Sequence, residues 1–196
     1  KDLGEALQTL IEEQRTFLGK LRGGLSDQQA NDTTNVTPEL RRKFRNLAAL
    51  ELTVLGDSEK VTEDAVQELE ALKAKSEEER STESALRSSQ LEAVVRHLHQ
   101  ARERIGQARS RLRRTQGDRA YRRAASALGA LRRARDQLLN PVARLDTLLR
   151  DGMELAQLTG TRTSFERMIS TSTAPARTLG WLTPEYLAEE QEHVNI

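Results

Sequence analysis

Residues 91–112 read LEAVVRHLHQARERIGQARSRL, and the fold is legible from that stretch outward. Leu91, Val94, Leu98, Ala101, Ile105, Ala108 and Leu112 recur at alternating steps of three and four. Such spacing holds all of them on one stripe of an α-helix, the pattern of a heptad seam. Past Gly117-Asp118, residues 121–138 (YRRAASALGALRRARDQL) continue with Tyr121, Ala124, Leu128, Leu131 and Leu138, interrupted by Arg135. The aliphatic stem of Arg135 is expected to lie along the seam with its charge in water. Residues 82–139 therefore read as two long helices folded back on each other at Gly117-Asp118.

The rest of the chain agrees with an all-α class. Aromatic residues make up 3% of the 196 residues and charged residues 31%, so the core must be mostly Leu, Ala and Val. Small aliphatic side chains suit helix-on-helix packing, where axes approach closely, better than a sheet. Ahead of the central hairpin, Leu3, Leu7, Leu10, Phe17 and Leu21 mark an amphipathic helix over residues 2–22, ended by Gly23-Gly24. Gln14 falls on the same stripe, where a lone polar residue fixes register. Residues 24–36 read as loop by composition. Asn31-Asp32-Thr33 and Asn35-Val36-Thr37 match the glycosylation acceptor pattern, a short motif that has no meaning in a bacterial chain.

Thr37-Pro38-Glu39 is a helix start: an N-cap hydroxyl, proline in the first turn and an acid beside it. Leu47, Leu50, Val54, Val61, Ala65, Leu69 and Leu72 then keep a helical period over residues 38–76, with a weak point at Gly56 that could divide it in two. Glu77 to Ser81 makes a polar turn into the hairpin. Beyond it, Asn140-Pro141 must interrupt or kink the second arm. Periodicity resumes with Val142, Leu145, Leu149, Leu155 and Leu158 over residues 141–158. Residues 160–182, rich in Thr, Ser and Gly, read as a flexible linker, with room for a short helix from Ser164 to Ile169. Thr183-Pro184-Glu185 repeats the earlier start and opens a last helix, with Trp181 and Leu182 placed to staple onto it.

The expected architecture is thus an elongated bundle of long antiparallel helices over residues 1–159, then the linker, then the start of a further helix over residues 183–196. Leu10 to Gln14 (LIEEQ) echoes Leu187 to Gln191 (LAEEQ), which with the twin Thr-Pro-Glu starts suggests a unit that recurs in a longer parent. The chain opens at Lys1 and ends within a helical pattern, and it reads as a piece or processed form of something longer. No apolar run approaches the roughly 20 residues a membrane-spanning helix needs. Absence of cysteine excludes disulfides, thiolate metal sites and a cysteine nucleophile, and leans weakly toward a periplasmic or other extracytoplasmic location.

Net charge is +1, which argues against the whole molecule being a polyanion binder, yet the charges are segregated. From Arg96 to Arg135 thirteen arginines face two acids, Glu103 and Asp118, whereas acids prevail from Lys60 to Glu92. Arg102 and Arg109 fall at e positions of the seam and Arg104 and Arg111 at g positions, the rims that choose a partner helix by charge. The acidic run just upstream could be that partner within the same chain. Arg113, Arg114, Arg119, Arg122 and Arg123 cluster at the hairpin tip, beyond most of that acid. They are the candidate binding residues, suited to phosphate, an anionic headgroup or an acidic protein.

Catalysis finds little support. His97 and His99 are two residues apart and point to different faces of a helix. His99 and Glu103 have an i, i+4 spacing, but on an exposed Arg-rich helix that spacing reads as solvated surface. No glycine-flanked nucleophile and no phosphate loop after a strand is present, so no catalytic residue, cofactor or metal site is expected. The companions of nucleic-acid binding, namely stacking aromatics, helix-turn-helix spacing and zinc ligands, are missing too. The Gly117-Asp118 hinge and the Ala-x2-Ala-Leu run from Ala124 to Leu131 resemble helical segments of large, uncharacterised bacterial membrane-anchored proteins with coiled-coil extracytoplasmic regions. That likeness covers about residues 91–149 and implies a structural or scaffolding part. The expected function is a non-catalytic interaction or scaffold module of a larger bacterial envelope protein, binding protein partners or itself. The alternative is a cytosolic nucleic-acid-associated coiled coil using the same basic tip.

Overall fold

A computed structural model describes residues 2–30, 37–74, 81–170 and 180–194. Among them the regular structure is entirely helical, with no strand, in six helices: α1 (Leu3–Ala30), α2 (Pro38–Lys73), α3 (Thr82–Arg113), α4 (Gly117–Asp136), α5 (Pro141–Ser170) and α6 (Pro184–Val194). The chain divides into two compact units, Lys1–Leu138 and Leu139–Ile196. The expectation of one bundle through residue 159 is corrected on this point, because α5 belongs to the second unit. The two acceptor patterns starting at Asn31 and Asn35, and the turn from Glu77 to Arg80, lie outside the described residues, wholly or in their greater part.

In the first unit α1 packs on α2 and α4, and α3 packs on the same two helices, so the four close a ring as in a helical bundle. Leu91, Val94, Leu98, Ala101, Ile105, Ala108 and Leu112, the full seam read from the sequence, are all buried along α3. Tyr121, Ala124, Leu128 and Leu131 are buried along α4. Arg135 departs from expectation: it is buried, and its guanidinium reaches not water but the Asp136 carboxylate, with Nε and Nη2 donating to Oδ1 at 3.0 and 2.7 Å. A carboxylate one residue away neutralises the charge that burial would otherwise penalise.

Gly23-Gly24 does not end α1. Neither glycine adopts a positive φ, the conformation that closes a helix at glycine. The apolar stripe runs on through Leu21 to Leu25, both buried, and that burial outweighs the propensity cost of about 1 kcal/mol per glycine. α2 likewise passes unbroken through Gly56. Thr37 caps it as expected, its side chain accepting from the Leu40 N–H at 3.2 Å. The phase of α2 differs from the sequence reading at one step: Leu50 is 41% exposed, and its neighbour Glu51, at 0%, takes the core position.

The hairpin turn sits slightly ahead of Gly117-Asp118. α3 ends at Arg113 and α4 opens at Gly117, with Thr115 carrying the positive φ of 57°. Gly117 is needed for space rather than for conformation. A Cβ on it would lie 2.5 Å from Leu25 Cδ2 of α1 and 2.7 Å from Phe44 Cζ of α2.

In the second unit, Asn140-Pro141 is a fresh start rather than a kink: Asn140 Oδ1 accepts from the Ala143 N–H at 2.8 Å. α5 then runs to Ser170, so residues 160–170 of the stretch expected to be a linker are helical. Its threonines are accommodated because their hydroxyls bond back one turn. Thr159 donates to the Leu155 carbonyl, Thr161 to that of Gln157 and Thr163 to that of Thr159, at 2.9 to 3.0 Å. Arg162 adds an i, i+4 ion pair with Glu166 and donates to the Leu182 carbonyl at 2.9 Å. Residues 171–179 lie outside the described residues. Trp181, Leu182 and Tyr186 are buried at the start of α6, where Thr183 accepts from the Tyr186 N–H at 3.2 Å. The α5 apolar positions do not share one face as the sequence reading had them: Leu155 and Leu158 are half-buried, whereas Val142, Leu145 and Leu149 are exposed.

Candidate interaction surface

The arginine tip is built by the end of α3, a three-residue turn and the start of α4. Arg111 and Arg113 occupy the last turn of α3, where positive charge complements the helix dipole. Arg111 Nη1 donates to Gln116 Oε1 at 3.0 Å across the turn, which spends that side chain on the fold. Gln116, at the N-cap of α4, makes no capping bond. Arg113, Arg114, Arg119 and Arg123 are exposed, and Arg122 is half-buried. Burial pushes the Asp118 carboxyl above its ordinary value, and the charge of Arg122 opposes the shift.

Helix electrostatics separate these arginines into two groups. Arg113 and Arg114 stabilise the C-terminus they sit on. Arg119 lies in the first turn of α4, where a cation opposes the dipole, and Arg122 and Arg123 lie one turn further on, where that effect has faded. The Arg119 charge is therefore unfavourable to the helix that bears it, whereas Arg122 also acts on the Asp118 carboxylate one turn back.

The other rim charges turn inward to neighbouring helices. Arg102 of α3 pairs with Glu59 of α2, Arg87 with Glu68 at 2.7 Å, and Lys73 of α2 with Glu92 of α3 at 2.7 Å. Contact with Lys73 holds the Glu92 carboxyl below its ordinary value. Arg104 and Arg111 meet glutamines, Gln107 and Gln116. The acidic stretch meets α3 through Glu68 and Arg87, whereas Arg102, one of the four rim positions picked out in the sequence, pairs with Glu59 just ahead of that stretch.

Two further features escaped the sequence reading. One is a polar level inside the first unit. Gln14 Nε2 of α1 donates to Glu51 Oε1 of α2 at 3.3 Å and to the Ala124 carbonyl of α4 at 3.1 Å. Desolvation raises the Glu51 carboxyl to about 8 despite the Gln14 bond, so it is mostly protonated at neutral pH. Gln14 was visible as a polar seam residue; Glu51 was not, because its apolar neighbour Leu50 was read as the core position.

The other is a groove of about 340 Å³ between α1 and α2, floored by Phe17 and Val54, walled by Leu50 and rimmed by Glu12, Glu13 and Lys20. Thr9, Thr16 and Thr53 complete its lining. His97 Nδ1 lies 3.3 Å from Gln100 Oε1, His99 is exposed, and Glu103 accepts from Gln107 at 2.8 Å. No group of three or more metal-ligating side chains assembles among the described residues. No helix among them is long and apolar enough to cross a membrane.

Comparison with known protein families, curated proteins and solved structures finds no match.

Proposed function

We propose that this chain is a non-catalytic helical interaction module, part of a larger bacterial envelope protein, whose arginine tip docks on an acidic protein surface. The observation that carries this reading is the exposed pair Arg119 and Arg123 at the start of α4, for which no cross-helix carboxylate of the kind that Arg87 and Arg102 have occurs among the described residues. The first unit acts as a rigid mount in this reading: an antiparallel four-helix bundle with coiled-coil-like seams. Support comes from the α2–α3 ion pairs, in which Glu68 meets Arg87 and Glu59, nine residues earlier, meets Arg102, fifteen residues later. Nucleic-acid binding through the same tip is the weaker reading, because Tyr121, the aromatic nearest the arginines, is buried and offers no ring for base stacking.

The test is a triple charge reversal, Arg113→Glu, Arg119→Glu and Arg123→Glu, titrated with a Glu/Asp-rich peptide and, in parallel, with a short DNA duplex. The expected result is lost peptide binding with unchanged helicity by circular dichroism. Collapse of helicity would assign the arginines to the fold. Duplex affinity that falls steeply with salt, with no peptide binding, would favour the nucleic-acid reading. Protease accessibility in intact and permeabilised cells, on the full-length parent, tests the envelope location.

A further inference from the structure

α5 carries apolar residues on opposite sides. Leu155, Leu158 and Phe165 are half-buried on one side. On the other, Val142, Leu145, Leu149 and Met153 are 72, 67, 61 and 58% exposed. Steps of three, four and four place those four within an arc of about 80° on the helix. They form a continuous stripe rather than scattered surface residues, and a stripe of this kind on a soluble helix marks a contact.

Flanking charges say what covers it. Asp146 and Arg150, both exposed, stand one turn apart on the same flank of the stripe. When two helices pack antiparallel about a twofold axis, each flank meets the same flank of the other copy. An axis crossing α5 between residues 147 and 148 sets Val142 opposite the partner's Met153, Leu145 opposite the partner's Leu149, and Asp146 opposite the partner's Arg150. All three pairings hold to within one residue of rise, about 1.5 Å. One register thus buries the stripe and forms two ion pairs related by symmetry. Parallel pairing would leave Asp146 and Arg150 on outer edges, facing nothing of opposite sign.

We propose that the Val142–Met153 face of α5 is a self-association surface, on which two copies of this chain pair antiparallel about a twofold axis. It deepens the interaction-module reading by naming self-association as one of its forms, and it uses a surface separate from the arginine tip. The stripe is about 17 Å long, short of the roughly 800 Å² per partner of a standard stable interface, so the dimer is weak and concentration-dependent.

Analytical ultracentrifugation of the whole chain over a concentration series tests this. A reversible dimer with a dissociation constant on the order of 10–100 µM is expected. Leu149→Glu should raise that constant by roughly tenfold or more. Asp146→Arg and Arg150→Asp should each raise it by about threefold to tenfold, and the double swap should bring it back near the wild-type value. These side chains are exposed, so helicity and melting should match the wild type; where Leu149→Glu fails that control, Leu149→Ala replaces it. A chain that stays monomeric overturns the proposal, as does a dimer indifferent to Leu149 or a double swap that fails to rescue. A monomer that floats with neutral phospholipid vesicles overturns it too, and assigns the stripe to lipid. A monomer that still binds the acidic peptide sinks this inference alone, and a dimer that ignores the peptide sinks the tip reading alone.

Discussion

α3 and α5 are long helices of nearly equal length, 32 and 30 residues, and both carry leucine at helical spacing. They use it in opposite ways. The seven seam residues of α3 form one stripe, all of it buried, with arginines, glutamates and glutamines on the remaining faces. The apolar residues of α5 are divided between a half-buried side and an exposed one. A helix that must meet one core needs one stripe. A second, exposed stripe adds nothing to its own unit and exposes apolar area to water, so its use lies with a contact outside that unit. Periodicity alone says that a residue can be buried; the arc over which the residues spread says how many partners the helix expects.

The comparison can be sharpened at three places. The largest effect is expected at Glu51. In the unfolded chain its carboxyl ionises near the ordinary value of 4.5, and in the folded chain near 8. The folded chain binds the extra proton between those values, so stability should fall as pH rises through that window, with the whole penalty present above about pH 8. The loss should be roughly 3–5 kcal/mol and confined to the first unit. Denaturant melts of wild type and Glu51→Gln from pH 5 to pH 9 would show it, the variant being nearly flat. A wild-type profile as flat as the variant's would mean that Glu51 reaches water.

Next comes the direct contrast of the two stripes. Leu98→Ala in the α3 seam should cost about 2–5 kcal/mol, whereas Leu149→Ala on α5 should stay within about 0.5 kcal/mol at dilute, monomeric concentrations. Equal losses would mean that the α5 stripe is covered within its own chain.

The smallest effects are at the turn, where the glycine and the positive φ fall on different residues. Gly117→Ala should destabilise by about 1–3 kcal/mol, because the new methyl meets Leu25 and Phe44. Thr115→Gly should instead stabilise by about 1 kcal/mol, by relieving a left-handed conformation that a β-branched residue adopts poorly. Opposite signs two residues apart, measured by thermal melts, would separate the steric role from the conformational one.

How far the sequence could be read follows from the same physics. The α3 seam, the Thr37 and Thr183 starts and the position of the basic tip were legible because each depends on residues close together in the chain. Glu51 was not, since Leu50 beside it is the more apolar residue, although the steps of four and three from Leu47 to Val54 place Glu51 on the buried face. Gly23-Gly24 looked like a stop until Leu25, whose burial belongs to packing against distant residues, is counted. The threonines of α5 looked like linker by composition, yet a hydroxyl that bonds the carbonyl one turn back sits comfortably inside a helix. At the tip, charge gives the sign a partner must have and no more.

The Gln14 level has a bearing on how this chain could vary over generations. One amide joins α1 to a carboxyl on α2 and to the backbone of α4. If Gln14 is exchanged first for an apolar residue, Glu51 loses its donor in the core. If Glu51 becomes Leu first, Gln14 still has the Ala124 carbonyl. The two substitutions therefore arrive most easily in one order, Glu51 before Gln14, and descendants that kept the glutamate would keep the glutamine with it.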